Sequence, residues 1–374
     1  MSRVILSQKK SGSLKAVNAF AGFLPRESFN YDPDVKWFPH HMAKAKIAIP
    51  KKLPIVDLLV EVRDSRLPLT SAQFELESCV RLRPGKQRIV VLNKQDLVPK
   101  SVSRESVSLL ELRGTPVLAT SALNHSNVSE VVSFITENVR VKFKSLGIVV
   151  MVTGLPNTGK STLLNAMRSL CPHPAEDKAP AKTSGIPGST NTTGKIQISS
   201  HSPKIFVLDT PGVMITKSGI EEEEDAADIM MKLAAVGAMP DTVPGITAVA
   251  DYILYKLNKG GMFKYVDIFS LTKGPSNDID EVIDGAARSI NNGTNRIDYH
   301  AGTLKFIHSF REGKLGKMCL DEIKEIDQVA NQLENETVFK FRTEPPGPWG
   351  PSRYPVDTSL TRAIYLNSSA KKAR

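Results

Sequence analysis

Residues 148–164 have the sequence IVVMVTGLPNTGKSTLL, and this stretch decides the fold. An apolar run predicts a buried strand, the next residues fit the pattern G-x-x-x-x-G-K-[ST], and the last ones predict the start of a helix. A glycine loop between a strand and a helix binds phosphate, because its backbone N–H groups can point inward. The stretch therefore predicts an α/β domain with a nucleotide site at Asn157, Thr158, Gly159, Lys160, Ser161 and Thr162.

Two of these residues have a predicted chemical role. Lys160 is expected to neutralise the outer phosphates and so to serve catalysis, and Ser161 is expected to offer its hydroxyl to Mg²⁺. DTPG at 209–212 follows the apolar strand KIFVL. Asp209 stands where a carboxylate can hold the metal, and Gly212 can give its N–H to the terminal phosphate.

A threonine in the loop between these two motifs completes the metal site. PGST at 187–190 lies there, and Thr190 is the best candidate for the hydroxyl that meets Mg²⁺ when the γ-phosphate is present. Thr192 and Thr193 are close alternatives. Thr190 is accordingly expected both as a metal ligand and as a catalytic residue.

A second motif, NKQD at 93–96, predicts guanine recognition. The Asp96 carboxylate accepts two hydrogen bonds, and guanine offers two adjacent donors where adenine does not. Asn93 can tie this loop to the phosphate loop, and the Lys94 stem can lie on the base. TSA at 120–122 also ends a predicted strand, so Ser121 and the backbone N–H of Ala122 are expected beside the guanine carbonyl.

The motifs occur in an unusual order. In the nomenclature of GTP-binding domains the chain has the order G4-G5-G1-G2-G3, whereas the phosphate loop ordinarily comes first. A doubly wound sheet tolerates this permutation, because its termini can be relocated at the surface without changing the site. We therefore expect a P-loop GTPase domain with circularly permuted motifs. DTPG then leads directly into the C-terminal part, which allows hydrolysis to affect a second domain.

The remaining pattern predicts the domain organisation. Strands are predicted at 55–62, 88–93 and 116–120, with a hairpin or two neighbouring strands at 194–209. After residue 215 the strand signals fade and helical spacing takes over. We predict an N-terminal segment at 1–35, the GTPase domain at 36–215, a C-terminal all-α RNA-binding domain at 216–335 and a Pro-rich extended tail at 336–374.

The composition of the chain limits which partners and which compartment are expected. The formal net charge of +10 favours an anionic partner, nucleic acid first among them, although a basic balance alone also fits an ordinary soluble protein. The three cysteines form no CxxC pair, which argues against a disulfide framework or a zinc site. The segment 1–26 is basic and contains serines but no acidic residue. It predicts mitochondrial targeting, and the alternative is a basic arm that touches RNA.

The order of motifs, together with WFPHHMAKA at 37–45, EVRDSRLPLTS at 61–71 and LAAVGAMPD at 233–241, resembles the circularly permuted GTPases of the ribosome-biogenesis GTPase A type. The resemblance covers about residues 36–320, and the N-terminus favours a mitochondrial member. It implies an enzyme that hydrolyses GTP, binds large-subunit rRNA late in ribosome assembly and uses hydrolysis to leave. The implied partners are large-subunit rRNA and ribosomal proteins in the mitochondrial matrix, with peripheral membrane association left open and no oligomer implied.

The resemblance also suggests how catalysis is completed. Many GTPases place a glutamine directly after the DTPG-type glycine, but this chain has Val213, which cannot orient water, so a low intrinsic rate is expected. The family's Gly-His-Met histidine corresponds to His41, although His40 stands where the family has glycine. His41 is therefore a candidate catalytic residue, and an RNA contact or a packing role is the alternative.

An asparagine at position 157 implies K⁺ beside the phosphates in this family, and the alternative is a loop asparagine that bonds its own backbone. The helix predicted around 303–310 also has a basic side. Its candidate RNA contacts are His300, Lys305, His308, Arg311, Lys314 and Lys317. Two other functions remain open, namely a regulatory or translation factor with a protein partner and no rRNA role, and a nucleotide-dependent binding protein with negligible hydrolysis.

Overall fold

The computed structural model describes residues 22–31, 52–73, 87–112, 114–139, 147–170, 195–199, 203–209, 223–290 and 297–323. His41, Thr190, Gly212 and Val213 lie outside these ranges, and so does the predicted tail at 336–374. Within the described ranges, no helix is long and apolar enough to cross a membrane.

A six-stranded sheet forms the centre of the first half of the chain. Its strands are β1 (Leu58–Asp64), β2 (Gln87–Asn93), β3 (Val117–Ala119), β4 (Ile148–Thr153), β5 (Lys195–Ser199) and β6 (Ile205–Asp209). The spatial order is β3-β2-β1-β4-β6-β5, and all pairs are parallel except β5 with β6. The expected α/β sheet is therefore confirmed, and the region 194–209 forms two neighbouring antiparallel strands.

Strand β1 differs from its prediction at both ends. Ile55 belongs to a short 3-10 turn, Leu53–Ile55, while the strand continues to Asp64. All seven residues of β1 are buried, including three charged ones. Burial is tolerated because Glu61 accepts from the Arg63 Nε at 2.7 Å and because an arginine from β2 also pairs with Glu61. A prediction from the hydrophobic pattern alone ends the strand too early, because the charged side chains meet their ion-pair partners only in the folded sheet.

Among the described residues, three helices accompany the sheet and five follow it. The first group comprises α1 (Lys100–Glu111), α2 (Val128–Asn138) and α3 (Lys160–Leu170). The second comprises α4 (Glu223–Ala235), α5 (Ile246–Lys259), α6 (Lys264–Ile268), α7 (Ile279–Arg288) and α8 (Tyr299–Arg311). The sequence predicts a helical region after residue 215, but its pattern does not mark α5 as a separate helix. Helix α5 is buried on most of its faces, so it lacks the one-sided apolar stripe that marks a surface helix.

Two of the apolar clusters among the described residues connect the core to the site. One lies around the sheet and contains Val60, Val91 and Val150. The other lies among the C-terminal helices, yet Leu67 and Leu155 also belong to it. Since Leu155 is part of the phosphate loop, the helical core extends directly to the predicted nucleotide site.

The described N-terminal residues 22–31 pack on the C-terminal helices. Arg26 donates to both carboxylate oxygens of Asp251 on α5, at 3.0 and 2.6 Å. Phe29 lies edge-on to Tyr252 with ring centroids 5.2 Å apart, and the Tyr31 hydroxyl donates to the Pro244 carbonyl at 3.0 Å. This part of the basic N-terminal segment therefore belongs to the folded body.

Candidate nucleotide site

The phosphate loop connects β4 to α3 and depends on two glycines in left-handed backbone conformation. Gly154 has a φ of +151°, and a Cβ there would collide with the Val62 carbonyl of β1. Gly159 has a φ of +91°, and a Cβ there would collide with the Asn93 side chain. Only glycine permits this close passage of the loop, which is the geometry that a phosphate cradle requires.

Asn93, the last residue of β2, joins three loops at one point. Its amide nitrogen donates to the Thr158 carbonyl in the phosphate loop at 2.9 Å. Its amide oxygen accepts from the Ala122 backbone N–H at 2.9 Å and from the Thr120 hydroxyl at 3.3 Å. The side chain is buried, so these bonds are shielded from water. Three motifs that are separate in the chain thus meet at the carboxyl ends of β2, β3 and β4, although β1 lies between β2 and β4 in the sheet.

Lys94 makes a second connection between the guanine loop and the phosphate loop. Its Nζ donates to the Asn157 carbonyl at 2.6 Å and pairs with the Asp64 carboxylate at 3.0 Å. Asp64 also accepts two hydrogen bonds from the Arg66 guanidinium, at 3.0 and 2.8 Å. Burial alone would raise the pKa of Asp64, but Arg66 and Lys94 outweigh burial and hold that pKa far below its ordinary value.

Lys160 begins α3 and is almost wholly buried. Its Nζ donates to the Leu155 carbonyl at 2.7 Å, and the Thr158 hydroxyl donates to the same carbonyl at 3.0 Å. The ammonium group of Lys160 therefore lies over the phosphate loop, next to the Leu155 carbonyl. Ser161 and Thr162 follow in the first turn of α3 and are half-buried.

The guanine-binding residues lie beside this loop. Asp96 is half-buried in the 3-10 turn Gln95–Leu97, and the Gln95 N–H donates to the Thr120 carbonyl at 3.0 Å. Ser121 is buried, and its hydroxyl accepts from the Asn124 side chain at 3.1 Å. The NKQD and TSA loops are thus bonded to each other through both backbone and side chains.

Two of the expected metal residues, Asp209 and Ser161, lie at the carboxyl edge of the sheet, whereas Thr190 lies outside the described residues. Asp209 is the last residue of β6 and stands opposite Val152 of β4, two residues before Gly154. Ser161 lies at the other end of the phosphate loop. Carboxylate and hydroxyl oxygens are ligand types that Mg²⁺ accepts, together with phosphate oxygens and water.

The C-terminal helices touch the site in two places that the sequence did not indicate. The Asn157 side-chain nitrogen donates to the Gly237 carbonyl at 2.7 Å, just after α4. The Met318 N–H donates to the Leu97 carbonyl at 3.1 Å, just after the guanine loop. In the sequence, EVRDSR and LAAVGAMPD indicate only a family resemblance, although Asp64, Arg66 and Gly237 in them contribute directly to the site.

The chain is similar in sequence to several known proteins. The family model described as 50S ribosome-binding GTPase matches residues 149–261. Mitochondrial ribosome-associated GTPase 1 of Mus musculus is 33% identical over 306 residues, which are 76% of this chain and 90% of the relative. Ribosome biogenesis GTPase A of Bacillus cereus is 29% identical over 310 residues, 80% of this chain and 98% of the relative. The crystal structure of GNP-bound YlqF from T. maritima aligns with a TM-score of 0.47 and 21% identity, covering 75% of this chain and 99% of that one.

A phosphate loop and a guanine loop joined by one buried asparagine define a P-loop GTPase with permuted motif order. The chain belongs to the family that contains mitochondrial ribosome-associated GTPase 1 and ribosome biogenesis GTPase A. The resemblance noted in the sequence is thereby confirmed. The protein is an enzyme that binds GTP and hydrolyses it to GDP and phosphate, and Mg²⁺ is the usual metal of such a site.

Proposed function

We propose that the protein is an assembly factor that binds large-subunit rRNA and acts in late maturation of the mitochondrial large ribosomal subunit. In this proposal the GTP-bound form stays on the particle and hydrolysis releases it. Support comes from the two curated relatives, whose names refer to ribosome association and ribosome biogenesis. The partners would be rRNA and ribosomal proteins, and the compartment would be the mitochondrial matrix.

The observation that carries this proposal is the direct contact of the nucleotide site with the C-terminal helices. Asn157 of the phosphate loop and Leu97 after the guanine loop each share a hydrogen bond with that part. A change in nucleotide state can alter the affinity for a large partner only if the two sites are physically coupled. In this structure the C-terminal part, which is expected to bind the particle, is hydrogen-bonded to both loops that hold the nucleotide.

Each site residue has a role in the proposed cycle. Asp96 selects guanine, while Asn93 and Lys94 hold the guanine loop against the phosphate loop, and Lys160 neutralises the outer phosphates. Ser161, Thr190 and Asp209 would hold Mg²⁺, which when bound neutralises charge on the β- and γ-phosphates. The N–H of Gly212 would meet the terminal phosphate.

Catalysis depends on residues outside the usual position. Val213 is apolar and cannot orient water, so the intrinsic rate is low and the ribosomal particle stimulates it. His41 supplies the polar group, acting on the attacking water once the particle is bound. A rate that the particle does not raise would contradict this assignment.

A monovalent cation beside the phosphates would supply further positive charge. Asn157 would hold K⁺ through its amide oxygen, because its amide nitrogen donates to Gly237. Turnover should then fall when K⁺ is replaced by Na⁺ at equal ionic strength. Equal turnover in the two salts would remove K⁺ from the mechanism.

The proposed RNA surface lies on and after α8. His300, His308 and Lys317 are exposed there. Arg311, which the sequence also suggested as a phosphate contact, is instead engaged by the Asp241 carboxylate. The buried side of α8 contains Phe306, Ile307 and Phe310, so the helix is amphipathic as expected.

The test is GTP turnover by the full chain with and without purified large-subunit particles from mitochondria, at physiological K⁺. We expect clear stimulation, and we expect the protein to sediment with the particle in a nonhydrolysable GTP analogue but not in GDP. Lys160→Ala serves as the control without hydrolysis. Unstimulated turnover and no sedimentation would favour a regulatory or translation factor that acts through a protein partner.

A further inference from the structure

The phosphate loop rests on the end of a C-terminal helix. Asn157, with a φ of 58°, donates its side-chain N–H to the Gly237 carbonyl at 2.7 Å. Gly237 has a φ of 77° and closes α4: its own N–H bonds the Ala234 carbonyl at 2.9 Å. The next residue bonds the Leu233 carbonyl, also at 2.9 Å, which completes a glycine-type helix cap. The cap thereby presents one carbonyl to the nucleotide site.

Arg311, the last residue of α8, clamps this cap. Its Nη2 donates to the Ala234 carbonyl at 2.6 Å and its Nε donates to the Ala235 carbonyl at 3.2 Å. Its Nη1 donates to the Asp241 carboxylate at 3.0 Å, beyond the cap. Carbonyls at a helix C-terminus lack partners within the helix, so one guanidinium that bonds two of them fixes the last turn.

A further contact shows how closely the clamp fits. A Cβ on Gly237 would lie 3.2 Å from the Arg311 Nε, so the guanidinium lies directly against the glycine. Both partners of the clamp ion pair are mostly shielded, with side chains 18% and 16% exposed. A shift of Arg311 would therefore displace the residue whose carbonyl holds Asn157.

We propose that Arg311 is a positioning residue for the phosphate loop. It acts through the α4 cap: the guanidinium fixes Gly237, and the Gly237 carbonyl fixes Asn157 in the conformation that receives phosphate. The chain of contacts links α8, which carries the exposed basic residues, to the nucleotide. This inference rests on GTP binding at the phosphate loop and does not depend on the ribosomal role.

The test is a double-mutant cycle on nucleotide affinity in the full chain. Arg311→Gln removes the guanidinium, and Asn157→Gly removes the side chain at a position where glycine adopts positive φ without strain. Each change should weaken binding of fluorescent GDP and of a nonhydrolysable GTP analogue about two- to tenfold, the loss expected for one hydrogen bond. The double variant should bind no more weakly than the weaker single variant, because both changes break one pathway.

A purely structural role gives a different result. Arg311→Gln would then lower the free energy of unfolding, while its loss of affinity would multiply with that of Asn157→Gly. Multiplied losses, or unchanged affinity in a folded Arg311→Gln or Asn157→Gly variant, would overturn the proposal. The cycle is repeated in Na⁺ at equal ionic strength, where the coupling should persist because it joins two protein groups.

The chain offers a matched control in Arg288→Gln. Arg288 pairs with Asp284 at 2.9 Å in α7, but its side chain is 68% exposed, and nucleotide affinity should not change. If Arg311→Gln does not fold, Asp241→Asn weakens the same clamp and enters the same cycle with the same criteria. A wild-type chain that binds no guanine nucleotide would instead overturn the site itself, which separates that failure from a failure of the clamp alone.

Discussion

Asn93 should hold the guanine loop and the phosphate loop together, and replacing it tests the site most directly. Asn93→Ala removes a side chain with bonds to three groups, of which two are short: the Thr158 carbonyl and the Ala122 N–H, each at 2.9 Å. The third, from the Thr120 hydroxyl, is longer at 3.3 Å, and a hydroxyl can rotate to another partner.

The expected magnitude follows from burial. Asn93 is only 2% exposed, so the carbonyl and the N–H that it leaves are unsatisfied away from water. Each such group costs about 1–3 kcal/mol, which gives a loss of roughly 2–6 kcal/mol in the free energy of unfolding. GTP affinity should fall too, because the guanine and phosphate loops would no longer be fixed relative to each other.

Asn93→Asp separates the two connections. The carboxylate still accepts from Ala122 but cannot donate to Thr158, and it places a buried charge against that carbonyl. Protonation would restore a donor, and burial raises the pKa of such a carboxyl. The stabilising form is therefore the protonated one, present at low pH and lost as the pH rises through the raised pKa. GTP binding by this variant should improve as the solution is made mildly acidic.

Urea unfolding and calorimetric titration with a nonhydrolysable GTP analogue measure both effects. Asn124→Ala is the control, because Asn124 lies in the neighbouring TSA loop but is exposed, and its loss should cost less than about 0.5 kcal/mol. If Asn93→Ala matched Asn124→Ala in both measurements, the reasoning about the junction would be refuted.

Three further predictions concern specificity, turnover and the N-terminal residues. Asp96→Asn should weaken GTP binding and favour xanthosine triphosphate, whose altered base edge suits an amide, and unchanged GTP affinity in a competition assay would refute the guanine role. His41→Ala should abolish particle-stimulated turnover with nucleotide affinity unchanged, and intact stimulation would remove His41 from catalysis. Arg26→Ala should cost roughly 1 kcal/mol in urea unfolding, since its two bonds to the Asp251 carboxylate are partly exposed. A double-mutant cycle with Asp251→Asn checks this pair, and additive losses would show that it contributes nothing.

The nucleotide loops could be predicted because each is a short contiguous motif with its own chemistry. In GLPNTGKST and NKQD, the glycine, lysine and aspartate residues alone indicate what each motif binds. The expected hydrogen bond from Asn93 to the phosphate loop is present in the structure. The permutation was also predictable, because the order of the motifs can be read directly from the sequence.

The rest depends on contacts that no local pattern encodes. The charged end of β1 was assigned outside the strand, because Asp64 becomes tolerable only beside Arg66 and Lys94. The hydrogen bond from the Asn157 side chain to the Gly237 carbonyl joins residues eighty positions apart, and neither residue type indicates such a partner. These missed features all lie where the sheet meets the C-terminal helices.

The permuted order has a consequence for biogenesis. Strand β1 is central, with β2 on one side and β4 on the other, yet β4 is made some eighty residues later. While the chain emerges from a ribosome or an import channel, the first three strands can pair and leave one edge of β1 with unsatisfied backbone groups. The unpaired edge of an apolar strand forms backbone hydrogen bonds with strands of other chains. Newly made chains should therefore need a chaperone until the phosphate-loop strand arrives, and truncations that end before residue 147 should aggregate.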